Sequence, residues 1–270
     1  MTNSPAETMK DTPIVILCGG KGTRMRGQTL TKKELVHVGG RPILWHVMRI
    51  FSAYGYSRFI LTLGYEANQI KRYFTDYEVL AIDVELESGN LDGNLNVKFP
   101  IEINHPPWQI SMVDTGLHTD KASRIARVRY YLEGDRFFVA YGDDVSNVDL
   151  NALVSFHLSH GKMATLTAVQ INLQYGVINT NEEGLVLGFV ERPRLSQWIN
   201  GGFFLFENSV LDLIPTDRDV NLEKEVLSQL ADMGELMAFR HDGFWQSMNT
   251  MKDNLLLEEL WQQGAPWKIW

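Results

Sequence analysis

Three short stretches of this chain place residues that could do chemistry close together. The first is Leu17-Cys18-Gly19-Gly20-Lys21-Gly22-Thr23-Arg24, a glycine-rich run with two fixed positive charges. Glycines leave backbone N–H groups bare enough to close around an anion, and Lys21 and Arg24 would neutralise charge that the amides only partly offset. Phosphate binding is the chemistry such a turn suits; a structural turn with incidental basic residues is the competing reading. The spacing excludes two other loops. A Walker loop needs four residues between its first Gly and a Gly-Lys-Ser/Thr, and none fits, while the dinucleotide pattern Gly-x-Gly-x-x-Gly puts Met25 where its third glycine should be.

The second stretch, Gly142-Asp143-Asp144, has two carboxylates that could hold a hard divalent cation or simply cap the next helix. The third comprises Glu191-Arg192-Pro193 and Asn200-Gly201-Gly202, where the opposite charges could equally be a surface ion pair. Other chemistries find little support. His157 and His160 are three apart with no carboxylate or Cys to complete a metal set, and are expected to lie on the solvent-facing side of their helix. Gly-x-Ser-x-Gly is absent, so no nucleophile elbow is expected. Cys18 is expected to pack under a strand end. Trp245, Trp261, Trp267 and Trp270 are expected to serve packing or subunit contact.

Elements that could position these residues alternate along the first half. Residues 13–17 form an apolar run expected as a parallel strand buried on both faces. A helix at 42–54 has Pro at its start and Gly55 beyond its end. There follow a strand at 58–63, a helix near 66–74, an irregular insertion at 83–107 and a strand at 108–115. A helix capped by Ser123 runs to Leu132, a strand spans 137–141 and a helix 151–160. The second half is richer in strands, at 164–169, 176–179, 185–190 and 203–207, with helices at 222–233 and 251–263. This order predicts an α/β protein with a Rossmann-like mixed, mostly parallel sheet flanked by helices and a small C-terminal elaboration. One domain over 1–270 is expected, and ligands of such sheets bind beyond the carboxyl ends of the strands.

A chain of 270 residues can bury a full core, and its net charge of −8 argues against nucleic-acid or anionic-membrane partners. The polar opening segment and the lack of an apolar run near about 18 residues predict a cytoplasmic protein.

The same stretches resemble the nucleotidyltransferases that activate sugar 1-phosphates, and in particular their cytidylyltransferase branch. The opening matches the family's Gly-Gly-x-Gly-Thr-Arg-Leu/Met, and Lys33-x-Leu35-x-x-Val38-Gly39-Gly40-Arg41-Pro42-Ile43-Leu44 matches its next element. Val113-Asp114-Thr115-Gly116, Tyr141-Gly142-Asp143, Trp198-Ile199-Asn200-Gly201-Gly202-Phe203-Phe204, Gly243-Phe244-Trp245-Gln246 and Ala265-Pro266-Trp267-Lys268 extend the likeness almost end to end. The resemblance implies in-line attack of a sugar-1-phosphate oxygen on the α-phosphorus of a nucleoside triphosphate, CTP by the branch, with release of pyrophosphate and no covalent enzyme intermediate. It implies that residues 13–169 hold the nucleotide and 170–270 the sugar. Leu17, Gly19, Gly20, Gly22, Thr23, Arg24, Lys33 and Gly142 would bind nucleotide, with Arg24, Lys33 and Asp143 catalytic. Thr115, Gly176, Glu191, Arg192 and Asn200 would bind the sugar phosphate. Mg²⁺ would rest on Asp143 and the residue at 249, and a homo-oligomer is implied.

The departures from the family pattern cluster at substrate-facing loops. Met248-Asn249-Thr250 stands where relatives have Met-Asp-Thr, so one metal carboxylate becomes a neutral amide, and Asp144, where relatives have Gly, could restore the charge. Arg192 replaces a Lys, exchanging a compact ammonium for a planar fork. Lys32-Lys33-Glu34 replaces Lys-Pro-Lys-Pro, and Gln174-Tyr175-Gly176 replaces Arg-Phe-Gly. An enzyme with an altered acceptor is one reading of these changes. A weakened relative that binds nucleotide or sugar nucleotide in a regulatory or structural role is the other.

Overall fold

The computed structural model describes residues 10–22, 31–80 and 107–270. Strand β1 (Ile14–Leu17) is wholly buried, and the glycine-rich turn leaves its carboxyl end. After a single 3₁₀ turn at Lys33–Leu35, the short pair β2 (His37–Val38) and β3 (Arg41–Pro42) leads into helix α1 (Ile43–Ala53). Strand β4 (Arg58–Leu63), helix α2 (Ala67–Leu80), strand β5 (Gln109–Asp114), helix α3 (Lys121–Arg127) and strand β6 (Arg136–Tyr141) follow. Beyond Asp143 come β7 (Asp144–Ser146), α4 (Leu150–His160), β8 (Ala164–Val169), β9 (Val177–Thr180), β10 (Val186–Val190) and β11 (Ile199–Glu207). The described chain ends with α5 (Ser228–Asp232), β12 (Leu236–His241), β13 (Trp245–Ser247) and α6 (Met251–Gln262).

Seven strands form one sheet in the order β12-β8-β11-β6-β1-β4-β5. All neighbours run parallel except β11, which is antiparallel to both β6 and β8. The mixed, mostly parallel sheet is as expected. Separate apolar cores cover its two faces, one including α1 and the C-terminal segment, the other including α3 and residues 220–230. The carboxyl ends of β1 and β6 are adjacent, Leu17 pairing with Tyr141, so the glycine turn and Asp143 emerge side by side.

Several local expectations change. Asp120, not Ser123, caps α3, and the Ser123 hydroxyl accepts from the Val220 N–H at 2.8 Å, so a tertiary contact claims it. The segment to Leu132 breaks into α3 and a 3₁₀ turn at Arg129–Tyr131. The helix at 222–233 starts as a π-helical turn over Leu222–Leu227. His157 does not face solvent; it is buried between the Thr165 hydroxyl at 2.8 Å and Glu207 at 3.1 Å. Trp267 is fully buried and stacks on Phe244, so at least this tryptophan serves the core. Strands β9 and β10 form a hairpin apart from the main sheet. The expected insertion at 83–107 lies outside the described residues except for Pro107.

Candidate functional site

A cleft of about 590 Å³ opens at the carboxyl ends of β1 and β6. Leu17, Gly19, Gly20 and Gly22 form one wall, and Lys33, Asp143, Asp144, Asn200 and Asn249 also line it. Residues more than 200 positions apart therefore meet in one cavity, as the sequence reading requires. Gly142 packs beneath, its N–H 3.3 Å from the Leu17 carbonyl; a Cβ there would lie 3.1 Å from Glu34 Cγ. Thr23 and Arg24 lie outside the described residues.

Lys33 is central to the site's electrostatics. Its ammonium pairs with Asp143 Oδ2 and donates to Asn249 Oδ1 at 2.9 Å. The Asn249 amide donates to the Ser247 hydroxyl at 2.8 Å, which leaves its carbonyl oxygen turned to Lys33. A carboxylate oxygen and a carbonyl oxygen thus converge on one positive charge. Asp144 is buried beside them. Burial and then the charge of Asp143 push its carboxyl well above the usual range, while a Ser247 hydrogen bond opposes the rise. That environment raises the cost of a second full charge beside Asp143.

Glu34 adds a third acidic group to the cleft. Burial raises its carboxyl above the ordinary value, despite the Lys32 ammonium 3.3 Å away, and Asp143 adds to the rise. Cys18 is buried with its thiol pushed up by burial and donating to the Ile16 carbonyl, which agrees with a packing role.

Besides Gly142, four expected residues do not line the cleft. Thr115 is buried behind it, its hydroxyl donating to the Leu63 carbonyl at 2.7 Å and accepting from Arg124 at 2.8 Å. Gly176, Glu191 and Arg192 border the β9–β10 hairpin, where Glu191 and Arg192 face each other as an exposed pair at 3.5 Å. Arg192 has φ +48°, an uncommon left-handed conformation just before Pro193.

Sequence reasoning missed Arg124, Lys121, Tyr141 and Glu223. Arg124 is buried in α3 and its guanidinium reaches the carbonyls of Gly19, Leu63 and Gly116. It ties the glycine turn to the ends of β4 and β5. No spacing signal separates it from the nearby Arg127 and Arg129. Tyr141 stood within a recognised motif, Tyr-Gly-Asp, but only its Gly and Asp were assigned roles.

A mostly parallel sheet, a glycine turn at its central carboxyl edge and an oxygen-lined, lysine-bearing cleft define a nucleotide-handling α/β protein. The chain belongs to the nucleotidyl transferase family, whose model matches residues 14–259. It is 42% identical over 263 residues to a glucose-1-phosphate cytidylyltransferase of Salmonella typhi, covering 95% of this chain and 98% of that protein. A probable glucose-1-phosphate cytidylyltransferase of Bacillus subtilis is 40% identical over 258 residues, covering 95% and 99%. Among solved structures, HddC from Yersinia pseudotuberculosis matches with a TM-score of 0.65 at 20% identity, covering 93% of this chain and 99% of HddC, which supports the fold.

The family uses a divalent metal, and the residues present fit one. Asp143 and Asn249 both turn oxygen toward a single cation, the Lys33 ammonium, and oxygen-only donors suit a hard divalent ion.

Proposed function

We propose that this nucleotidyltransferase joins CTP to a sugar 1-phosphate, with glucose 1-phosphate as the first acceptor to test, giving an NDP-sugar and pyrophosphate. The observation that carries the reading is the meeting of residues 19–22, Lys33, Asp143 and Asn249 in one cleft. The 42% identical relative supports the choice of base and acceptor.

The turn at 19–22 supplies backbone donors to the triphosphate, joined by Thr23 and Arg24 as the sequence motif implies. Lys33 supplies positive charge where negative charge builds on the α-phosphate, and its two oxygen partners hold it at the cleft wall beforehand. Asp143 and Asn249 would hold Mg²⁺, which when bound neutralises phosphate charge. Asn200 orients sugar hydroxyls, placing the acceptor phosphate for in-line attack. Residues 13–169 hold the nucleotide and 170–270 the acceptor within one catalytic unit. Glu191, Arg192 and Gly176 belong to the acceptor side by motif, whereas Thr115, buried with its hydroxyl engaged, supports the strand end behind the cleft.

The protein is assigned to the cytoplasm, without nucleic-acid partners. Among the described residues no helix is long and apolar enough to cross a membrane. It acts as a homo-oligomer, with the β9–β10 hairpin as the contact: Ile178, Leu187 and Phe189 are each more than half exposed there.

A binding-only role is not favoured, because the cleft keeps both the glycine turn and the Lys33–Asp143 pair. The test is pyrophosphate release with each of five nucleoside triphosphates and a panel of sugar 1-phosphates, in the presence of Mg²⁺. Release with CTP and a hexose 1-phosphate is expected; no release from any pairing would overturn the reading.

A further inference from the structure

A hydrogen-bonded chain crosses the Asn200 side of the cleft and ends on a carboxylate that the reaction above does not use. Tyr141, at the end of β6, donates its hydroxyl proton to Glu223 Oε1 at 2.6 Å. The same hydroxyl oxygen accepts from Asn200 Nδ2 at 3.1 Å, and Asn200 Oδ1 accepts from the Gly202 N–H at 2.9 Å. Both ends of the Asn200 amide are therefore engaged. What it has left for a ligand is one N–H and one lone pair, in a fixed orientation.

Glu223 sets the direction of this chain. A carboxylate can only accept, so Tyr141 must donate toward it, and the phenol oxygen is then free to accept from Asn200. Glu223 Oε1 also pairs with Lys121, whose ammonium lies 4.7 Å from the centre of the Tyr141 ring. Burial works against ionisation of Glu223, but hydrogen bonds from Lys121 and Tyr141 outweigh it and hold the carboxyl below its ordinary value. Burial and then the Glu223 charge push the Tyr141 hydroxyl far above the usual phenol range, so it keeps the proton that it donates. Lys121, Tyr141 and Asn200 line the cleft, whereas Glu223 stands behind them.

We propose that Glu223 is a positioning residue for acceptor recognition: through Tyr141 it fixes the orientation of Asn200, and so which hydrogen-bonding groups the cleft offers to the sugar hydroxyls. Without it the Tyr141 hydroxyl can donate toward Asn200 instead, and the Asn200 amide has two competing arrangements. The inference rests on the assignment of Asn200 to the sugar under the proposed function.

The experiment is steady-state pyrophosphate release with CTP and glucose 1-phosphate for the wild-type protein, E223A, E223Q, Y141F and Y141F/E223A, each checked for an unchanged melting temperature. Loss of one well-formed hydrogen bond predicts that E223A raises KM for glucose 1-phosphate about tenfold, with KM for CTP and kcat within about threefold. E223Q keeps a carbonyl acceptor for Tyr141 and should recover most of the loss. If the effect passes through Tyr141, E223A adds less than about twofold in the Y141F background. Equal rises in both KM values, no recovery in a folded E223Q, or an undiminished effect in the Y141F background would overturn the proposal. Absence of release by the wild-type protein removes the functional reading instead. Calorimetric titration with CDP-glucose then decides: weaker binding by E223A supports the positioning role, and equal affinity, or no binding by the wild-type protein, overturns it.

Discussion

The Lys33 ammonium donates to Asn249 Oδ1 across 2.9 Å, joining residues 216 positions apart. Asn249 stands where the family pattern has Asp, so this contact is made with a neutral acceptor, and Asp143 supplies the negative charge paired with Lys33. For a metal ion the same substitution removes one unit of attraction while keeping an oxygen in place. Asn249→Asp should lower the Mg²⁺ concentration for half-maximal pyrophosphate release by about tenfold, a modest share of the Coulomb energy available near a protein surface. An unchanged half-saturation point would mean that residue 249 serves Lys33 and not the metal.

Arg124 makes a separate and structural prediction. Its guanidinium reaches three carbonyls and the Thr115 hydroxyl, all within 3.1 Å, from strand ends that diverge at the cleft. A lysine keeps the charge but not the fork, and strands several of these buried acceptors. Arg124→Lys should cost about 2–4 kcal/mol in urea denaturation, since each buried acceptor left unpaired costs about 1–3 kcal/mol. It should also raise KM for CTP, because Gly19 belongs to the glycine turn proposed to hold the triphosphate. A variant with full stability and unchanged KM would show that the turn holds its shape without Arg124.

Much of this scaffold was legible in the sequence, and the parts that were not share a cause. Strand β1, its glycine turn and α1 could be read because period, burial and terminal residues all act locally. Arg124 could not, because its partners come from residues 19, 63, 115 and 116 and only parallel pairing of β1, β4 and β5 assembles them. Ser123 misled for a related reason: its hydroxyl suits a helix cap, yet Val220 claims it from elsewhere in the chain. The pairing of β9 with β10 was visible as two strands, but nothing in their pattern said that they would stand apart from the main sheet. In the site, Lys33, Asp143, Asn200 and Asn249 were found by motif, whereas Glu223 lies in no recognised motif and reaches the cleft through its contacts with Tyr141 and Lys121.

Gly202 shows how tightly the Asn200 side is built. Its φ is +79°, and a Cβ there would lie 2.5 Å from Tyr141 Cδ2 and 2.6 Å from Asp144 Oδ2. Alanine would be strained by the backbone and would also displace the ring that Glu223 orients. Gly202→Ala should destabilise the protein by about 1–3 kcal/mol, within the range for overpacking at a buried site. KM for the acceptor should rise while KM for CTP changes little. Equal changes in both would place the damage in the sheet and not in the acceptor side.

His46 predicts how stability depends on pH. It is fully buried, with Nε2 2.8 Å from the Val38 carbonyl and Nδ1 3.3 Å from Trp267 Nε1. An indole N–H can only donate, so Nδ1 must accept, and Nε2 carries the proton given to Val38. The neutral ring thus satisfies both partners, whereas a protonated ring would set two N–H groups against each other. Burial is the main reason that its pKa falls from 6.5 to about 4. Between those two values the unfolded chain binds more protons than the folded one, so stability must fall as pH drops through that window. At pH 4.5 the loss relative to pH 7.5 from this residue is about 2.5 kcal/mol. His46→Gln cannot titrate but keeps a donor for Val38, so its stability should fall correspondingly less between pH 7.5 and 4.5 in urea denaturation. Parallel losses in the two proteins would mean that the sensitivity to acid resides in other groups, such as His157, whose pKa is also lowered by burial.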